Sequence, residues 1–152
     1  MSIPVKFECL SFHKLSLEQL YRALALRQEV FVVEQTCYYQ DADGKDPDCW
    51  HLLGLNGDNK LVAYARILPK GIAYSEYPAI GRIITAASVR GKGVGRELVA
   101  NAIEACETLC GKGPIKIGAQ AYLEKFYQSF GFEVVGEPYL EDGIPHLHMI
   151  RP

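Results

Sequence analysis

The chain predicts an α/β fold, and three observations carry the prediction. Residues 80–85, Ile-Gly-Arg-Ile-Ile-Thr, have strand character and lead through Arg90-Gly91-Lys92-Gly93-Val94-Gly95-Arg96 into a long amphipathic run. In that run apolar residues recur at Val94, Leu98, Val99, Ala102, Ile103, Cys106 and Cys110, the spacing of one helical face. Arg96, Glu97, Asn101, Glu104 and Glu107 fall on the opposite, polar face. Ile115-Lys116-Ile117-Gly118-Ala119 then alternates as a strand. Strand, helix and strand in that order need a crossover, so segments 80–85 and 115–119 are expected to be parallel neighbours.

The remaining elements follow in chain order. Residues 5–12 alternate, with Phe7 and Cys9 on one face, and read as the first strand. Ser16 followed three positions on by Gln19 is a capping box. It opens a helix with apolar positions Leu17, Leu20, Tyr21 and Leu24, expected to end or kink near Phe31, where β-branched residues accumulate. Residues 37–50 are irregular and carry Asp41, Asp43, Asp46 and Asp48. An EF-hand fails here, because Lys45 takes the fifth ligand position and Gly44 comes too early. A solvated acidic loop is expected; as a binding loop, its carboxylates, tyrosines and Trp50 would suit a cationic group.

Residues 51–55 and 61–68, joined at Asn56-Gly57-Asp58-Asn59, read as a hairpin that Pro69 and Gly71 end. Past the break at residues 111–114 and the strand at 115–119, a short helix should bury Leu123, Phe126 and Phe130 and close on a left-handed Gly131. Residues 132–135 and 146–149 are the last two strands, joined by a loop holding Glu141-Asp142-Gly143 and Pro145.

Composition excludes several function classes. At 152 residues the chain is expected to be one domain. A net charge of −2 and a pI of about 6.1 offer nothing for nucleic acid to bind. No apolar run reaches the roughly 18 residues of a membrane span, and residues 1–5 lack the basic-then-apolar start of a signal peptide. Five cysteines, an odd number, suit reduced thiols in a cytoplasm, with Cys106 and Cys110 as small core residues. Cys37, Cys49 and His51 match no zinc spacing, so no metal is expected.

The glycine run calls for a ligand. The first amides of a helix lack partners within it, the helix dipole adds positive charge there, and glycines let an anion approach the backbone. Arg90, Lys92 and Arg96 add side-chain charge at the same place, so the site should take a phosphate or pyrophosphate. It is not a P-loop, since Val94 follows Gly93 where Lys and then Ser or Thr are required. The Gly-x-Gly-x-Gly spacing, more than halfway along the chain, does not fit a dinucleotide fingerprint either.

Arg90, Gly93 and Gly95 resemble the acyl-coenzyme A signature of the GNAT N-acetyltransferase superfamily: Arg or Gln, two residues, Gly, one residue, then Gly or Ala. Ala87 departs from the proline many members have there, which should loosen the link. Phe126-Tyr127, three residues, then Gly131-Phe132 is similar to a second family motif. In the first half, Arg27-x-Glu29-Val30-Phe31 through Gln35, Tyr39-Gln40-Asp41, His51-Leu52 and Ala63-Tyr64-Ala65-Arg66 resemble the ElaA-type branch. The same holds for Ile80-Gly81-Arg82, Ala119-Gln120-Ala121 and residues 139–146, so the resemblance covers nearly the whole chain.

The resemblance implies one GNAT domain over residues 1–152. Its fold would be a mixed, mostly antiparallel sheet of about six to seven strands, flanked by helices, with the central parallel pair splayed apart. Acetyl-coenzyme A would be the co-substrate, its pantetheine along Ile83, Ile84 and Thr85. Its pyrophosphate would lie over Arg90, Gly91, Lys92, Gly93, Val94, Gly95 and Arg96, and backbone N–H groups near Ile84 would polarise the thioester. Tyr127 would be the general acid, since a phenol holds its proton at neutral pH and a leaving thiolate needs one.

The implied acceptor is an amine of a small molecule or peptide, acylated by direct transfer. The substrate-side candidates are Glu34, His51, Arg82, Glu141 and His146, with Glu29 as a further possible base; a histidine with its ordinary pKa of about 6.5 could take the amine's proton. Arg82 and Lys116 stand where many relatives carry a carboxylate. The sequence is compatible with a homodimer and does not choose the oligomeric state. The Arg27–Gln35 run also resembles acyl-homoserine-lactone synthases, though their N-terminal lid is absent. A non-catalytic acyl-coenzyme A sensor is the alternative outside enzymes.

Overall fold

Seven strands make one mixed sheet in the computed structural model, which describes residues 4–152. The leaderless start expected from residues 1–5 therefore lies mostly outside the described residues. The strands are β1 (Lys6–Ser11), β2 (Trp50–Leu55), β3 (Leu61–Leu68), β4 (Ala79–Thr85), β5 (Ile115–Gln120), β6 (Glu133–Glu141) and β7 (Ile144–Arg151). Their order is β1-β2-β3-β4-β5-β7-β6, antiparallel throughout except for the parallel pair β4 and β5. That pair meets only at Ala79 and Lys116 before the two strands part. Among the described residues no helix is long and apolar enough to cross a membrane.

Both faces of the sheet are covered, and alternation along β2 and β3 sorts the side chains between them. Leu52, Ala63, Ala65 and Ile67 face helix α2 (Val94–Cys110), whose Val94, Leu98, Val99, Ala102, Ile103 and Cys106 are buried against them. Leu53 and Tyr64 face helix α1 (Leu17–Arg27) through Ala23 and Leu26. Cys110 is a correction. It ends α2 and is exposed, one turn beyond Cys106, where the helix runs past the sheet.

The capping box forms as expected: the Gln19 amide donates to Ser16 Oγ at 3.0 Å and the Ser16 amide to Gln19 Oε1 at 2.8 Å. One expectation for α1 fails: Leu17 and Tyr21 point to solvent, and Ala23, Leu26 and Arg27 form the buried face instead. The α-helix ends at Arg27, and around Phe31 the chain widens into a π-helical segment over Gln28–Glu34 in which the Gln35 amide reaches back to the Val30 carbonyl at 3.2 Å. Burial of Val30 against the sheet holds this segment in place.

The last helix, α3 (Glu124–Gln128), buries Tyr127 most deeply, while Leu123, Phe126 and Phe130 are only half-buried. Gly131 takes the expected left-handed conformation at φ 93°. The loop expected between the last strands is a tight turn. Asp142 at φ 51° and Gly143 at φ 76° make the mirror-image turn that suits strand twist, and β6 and β7 pair up to Glu141 and Ile144.

The acidic segment is the largest correction. It is not a solvated loop, because Asp41 and Asp46 are buried. Asp41 Oδ2 lies 2.7 Å from Arg27 Nε, and Asp41 Oδ1 lies 2.8 Å from Arg82 Nε. Asp46 Oδ1 takes Arg27 Nη1 at 2.8 Å and Arg66 Nη1 at 3.0 Å. Asp43 Oδ2 takes Arg66 Nη2 at 2.7 Å. The cationic groups that this loop binds are the protein's own guanidiniums, which a buried charge requires.

This network also holds the sheet's main irregularity. Tyr64 pairs with Ile84 and Arg66 with Gly81, so β4 spends one more residue than β3 between them. Arg82 sits in that bulge at φ 49°, a left-handed conformation that a side chain resists. The extra residue inverts the alternation: Ile80 faces α2 and Ile84 faces α1, though both positions are even. Asp41, itself fixed by Arg27, pins the Arg82 side chain across the bulge.

Candidate active site

Where β4 and β5 part, a cavity of about 750 Å³ opens. Residues 80–85 and 117–120 form its two strand walls. The π-helical segment, the residues following it, the β6–β7 hairpin tip and Tyr122, Leu123 and Tyr127 complete the lining. Gln120 Nε2 donates to Gln35 Oε1 at 3.2 Å across the gap. Gln35 and Gln120, like Phe31 and Tyr39 of the same lining, belong to the segments of the ElaA-type resemblance but are not among the site residues expected from the sequence.

The glycine run adjoins this cleft through Arg90, which lines it, while residues 91–96 lie outside the lining. Gly91 and Gly93 are left-handed, at φ 76° and 82°, and Gly93 caps α2. None of the turn and cap hydrogen bonds of the described residues runs from an amide of Gly91 to Arg96 to a backbone carbonyl, and a Cβ added at Gly91, Gly93 or Gly95 would meet nothing within 4 Å. Open, unpaired amides at a helix N-terminus fit an anion such as a diphosphate. Lys92 and Arg96 are exposed beside them, with Arg96 lying 4.7 Å from the Phe130 ring centre. Arg90 turns into the cleft, where its Nη1 meets Glu34 at 2.7 Å and its Nη2 the Thr85 carbonyl at 3.0 Å. Val94 contributes only its backbone there, its side chain being core.

Strand geometry assigns the free backbone groups of β4. The Ala86 amide donates to Val62 of the β3 side at 2.8 Å. By alternation the Ile84 amide also points to β3, and those of Ile83 and Thr85 point into the cleft. Tyr127 is 6% exposed and lines the cavity. Burial pushes its phenol well above the ordinary range, so it stays protonated at any physiological pH. Its ring packs edge-on against Phe126 and Phe132.

The substrate-side candidates separate. Glu34, Arg82, Glu141 and His146 all line the cavity. His51 does not, and this corrects its candidacy: its Nε2 lies 3.0 Å from the Asp46 carbonyl and its Nδ1 2.7 Å from the Tyr64 hydroxyl. Burial pushes its pKa down, so it is a neutral spacer with both nitrogens occupied. Glu29 is exposed and outside the cavity lining. Cys37 and Cys49 do not converge with His51, since their thiols donate to the carbonyls of Asp142 and Lys45.

A model of the acetyltransferase (GNAT) domain matches residues 15–151. Protein ElaA of Escherichia coli is 48% identical over 149 residues, covering 97% of this chain and 96% of its own. The crystal structure of E. coli ElaA superposes with a TM-score of 0.90, covering 98% of this chain and 100% of that one, at 47% identity. An acyl-CoA N-acyltransferase from Pseudomonas aeruginosa gives a TM-score of 0.92 at 40% identity, again over 98% and 100% of the two chains. The CoA-dependent acyl-homoserine lactone synthase BjaI shares the fold, with a TM-score of 0.79 at 19% identity over 97% of this chain and 82% of that one.

Proposed function

Because the chain belongs to the GNAT acetyltransferase family, we propose that it moves an acetyl group from acetyl-coenzyme A to an amine by direct transfer. The observation that carries this is the open glycine cradle adjoining a splayed strand pair. Bound there, acetyl-coenzyme A supplies the acetyl group already activated as a thioester. The amides of Gly91 to Arg96, with Lys92 and Arg96, hold the diphosphate; Arg90, anchored on Glu34 and the Thr85 carbonyl, adds its charge beside it. The Thr85 backbone hydrogen-bonds the pantetheine arm, and the Ile83 amide beside the bulge faces the carbonyl oxygen as charge grows on it. Tyr127 supplies the proton that the departing sulfur needs. Holding donor and amine in one cavity contributes the rest through proximity.

The test is titration with acetyl-coenzyme A followed by free-thiol release over free amines, polyamines, amino sugars and peptides. Saturable binding and release with at least one amine class is expected. Binding without release for any amine would make the protein an acyl-coenzyme A sensor, and no binding would end the reading. Gly93→Asp puts a carboxylate where the diphosphate lies. The fold should survive, because the position is open and Asp tolerates a left-handed backbone. Binding should drop beyond detection with the far-ultraviolet spectrum unchanged; equal affinity in the two proteins would overturn the cradle.

A further inference from the structure

We propose that His146 takes the proton from the acceptor amine, with Glu141 as the carboxylate that balances the charge formed; this rests on the acetyl-transfer reading above. Neutral amines attack, protonated ones do not, so the cleft needs a group able to receive a proton. Two of the carboxylates lining the cavity are already committed. Glu34 holds Arg90 at 2.7 Å, and Asp43 holds Arg66 at 2.7 Å. His146 is 7% exposed and opens onto the same cavity.

Its hydrogen bonds determine which nitrogen is basic. Nδ1 lies 2.7 Å from the Ile144 carbonyl oxygen. A carbonyl only accepts, so Nδ1 carries the hydrogen and the lone pair of the neutral ring is at Nε2. Nε2 in turn lies 3.4 Å from Glu141 Oε2. A proton on Nε2 makes the ring a cation, and the carboxylate at this ion-pair distance balances its charge.

The hairpin sets this geometry. The tight turn at Asp142–Gly143 makes Glu141 pair with Ile144 and Tyr139 with His146. Glu141 and His146 thus stand diagonally on one face, within reach of each other. The charged and titratable groups facing the ring are Glu141, Tyr139 and, two residues along its own strand, His148. Across the cavity stand the Glu34–Arg90 and Asp43–Arg82 pairs and, at the hairpin tip, Asp142. The Glu141 side chain is 60% exposed and gives the proton a way to bulk water.

The step balances. The amine's first proton goes to His146 Nε2 and leaves through Glu141 to solvent. A C–N bond forms as the thioester C–S bond breaks, the sulfur takes the Tyr127 proton, and the nitrogen's second proton restores Tyr127.

Two measurements on the full chain test this. Nitrogen-15 spectra of the histidines, with His146 assigned through His146→Gln, should show the Nδ1–H tautomer in the neutral ring; the Nε2–H tautomer would overturn the proposal whatever the enzyme's activity. His146→Gln should lower kcat/KM for the amine by roughly 10²- to 10⁴-fold and remove the acidic limb of its pH profile. Affinity for acetyl-coenzyme A should stay within about twofold, because His146 touches no part of the cradle. Glu141→Gln, at an exposed side chain, should give a smaller loss in the same direction and covers a His146 variant that fails to fold. Unchanged rates and profiles in both variants overturn the proposal and leave acetyl transfer standing. No thiol release from the wild type with any amine overturns both.

Discussion

Asp46→Asn should lower folding stability by about 3–5 kcal/mol, the loss typical of breaking a buried ion pair from one side. One carboxylate oxygen of Asp46 serves Arg27 at 2.8 Å and Arg66 at 3.0 Å, and both guanidiniums are buried, at 1% and 4% exposure. The amide keeps the volume but removes the charge, leaving two buried cations to share Asp41 and Asp43. Glu18→Gln is the control. Its partner Arg22 is also an ion pair at 2.8 Å, but both side chains are mostly exposed, so the change should be within about 0.5 kcal/mol. Urea unfolding of both variants decides the matter; a loss below about 1 kcal/mol for Asp46→Asn would mean the network is not what holds the acidic segment down.

The same network predicts how stability changes with pH. Hydrogen bonds and charge from Arg27 and Arg66 outweigh the burial of Asp46 and hold its carboxyl below the usual range; Asp43 is lowered likewise by Arg66. A carboxylate with a depressed folded pKa stabilises fully above its unfolded value, about 3.9, and loses that contribution as pH falls toward the folded one. His51 adds to the acid side. Burial lowers its pKa, so the unfolded chain binds that proton more readily and stability starts to decline below about pH 6.5. Denaturation midpoints should therefore fall in two stages on acidification, the first reduced in His51→Gln and not abolished, because burial and Lys116 lower His148 likewise.

What the sequence made legible was local. The capping box at Ser16 and Gln19, the hairpin turn after Leu55 and the glycine run into α2 each rest on residues a few positions apart, whose preferences do not depend on the rest of the chain. The acidic segment was misread because its partners lie 14 to 41 positions away, on α1, β3 and β4. One signal was available. Arg66 interrupts an otherwise apolar strand, Leu-Val-Ala-Tyr-Ala-Arg-Ile-Leu, and a charge so placed requires a buried counterion. The bulge at Arg82 was missed for a similar reason, although an isolated glycine within a strand, here Gly81, often marks one. Of the substrate-side candidates, nothing in the spacing distinguished His51 from His146. Only the folded register sends the one into the network and the other into the cleft.

Tyr127→Phe should reduce turnover by roughly 10²- to 10⁴-fold, the range for loss of a positioned general acid. The substitution removes one oxygen and little else. The ring keeps its edge-on packing against Phe126 and Phe132, and the Tyr127 carbonyl still accepts from the amides of Phe130 at 3.0 Å and Phe132 at 3.2 Å. Affinity for acetyl-coenzyme A and the unfolding midpoint should therefore hold, so that the loss falls in kcat. Because burial raises the phenol's pKa, the protonated, active form persists as pH rises, and Tyr127 should impose no alkaline decline up to about pH 10. The leaving group provides the sharper check. An acetyl thioester of an acidic aryl thiol expels a stable thiolate that needs no proton, so wild type and Tyr127→Phe should act on it at closely similar rates. An equal deficit with both donors would mean that the hydroxyl orders the cavity rather than protonating sulfur, and an unchanged rate with acetyl-coenzyme A would return Tyr127 to the packing of α3.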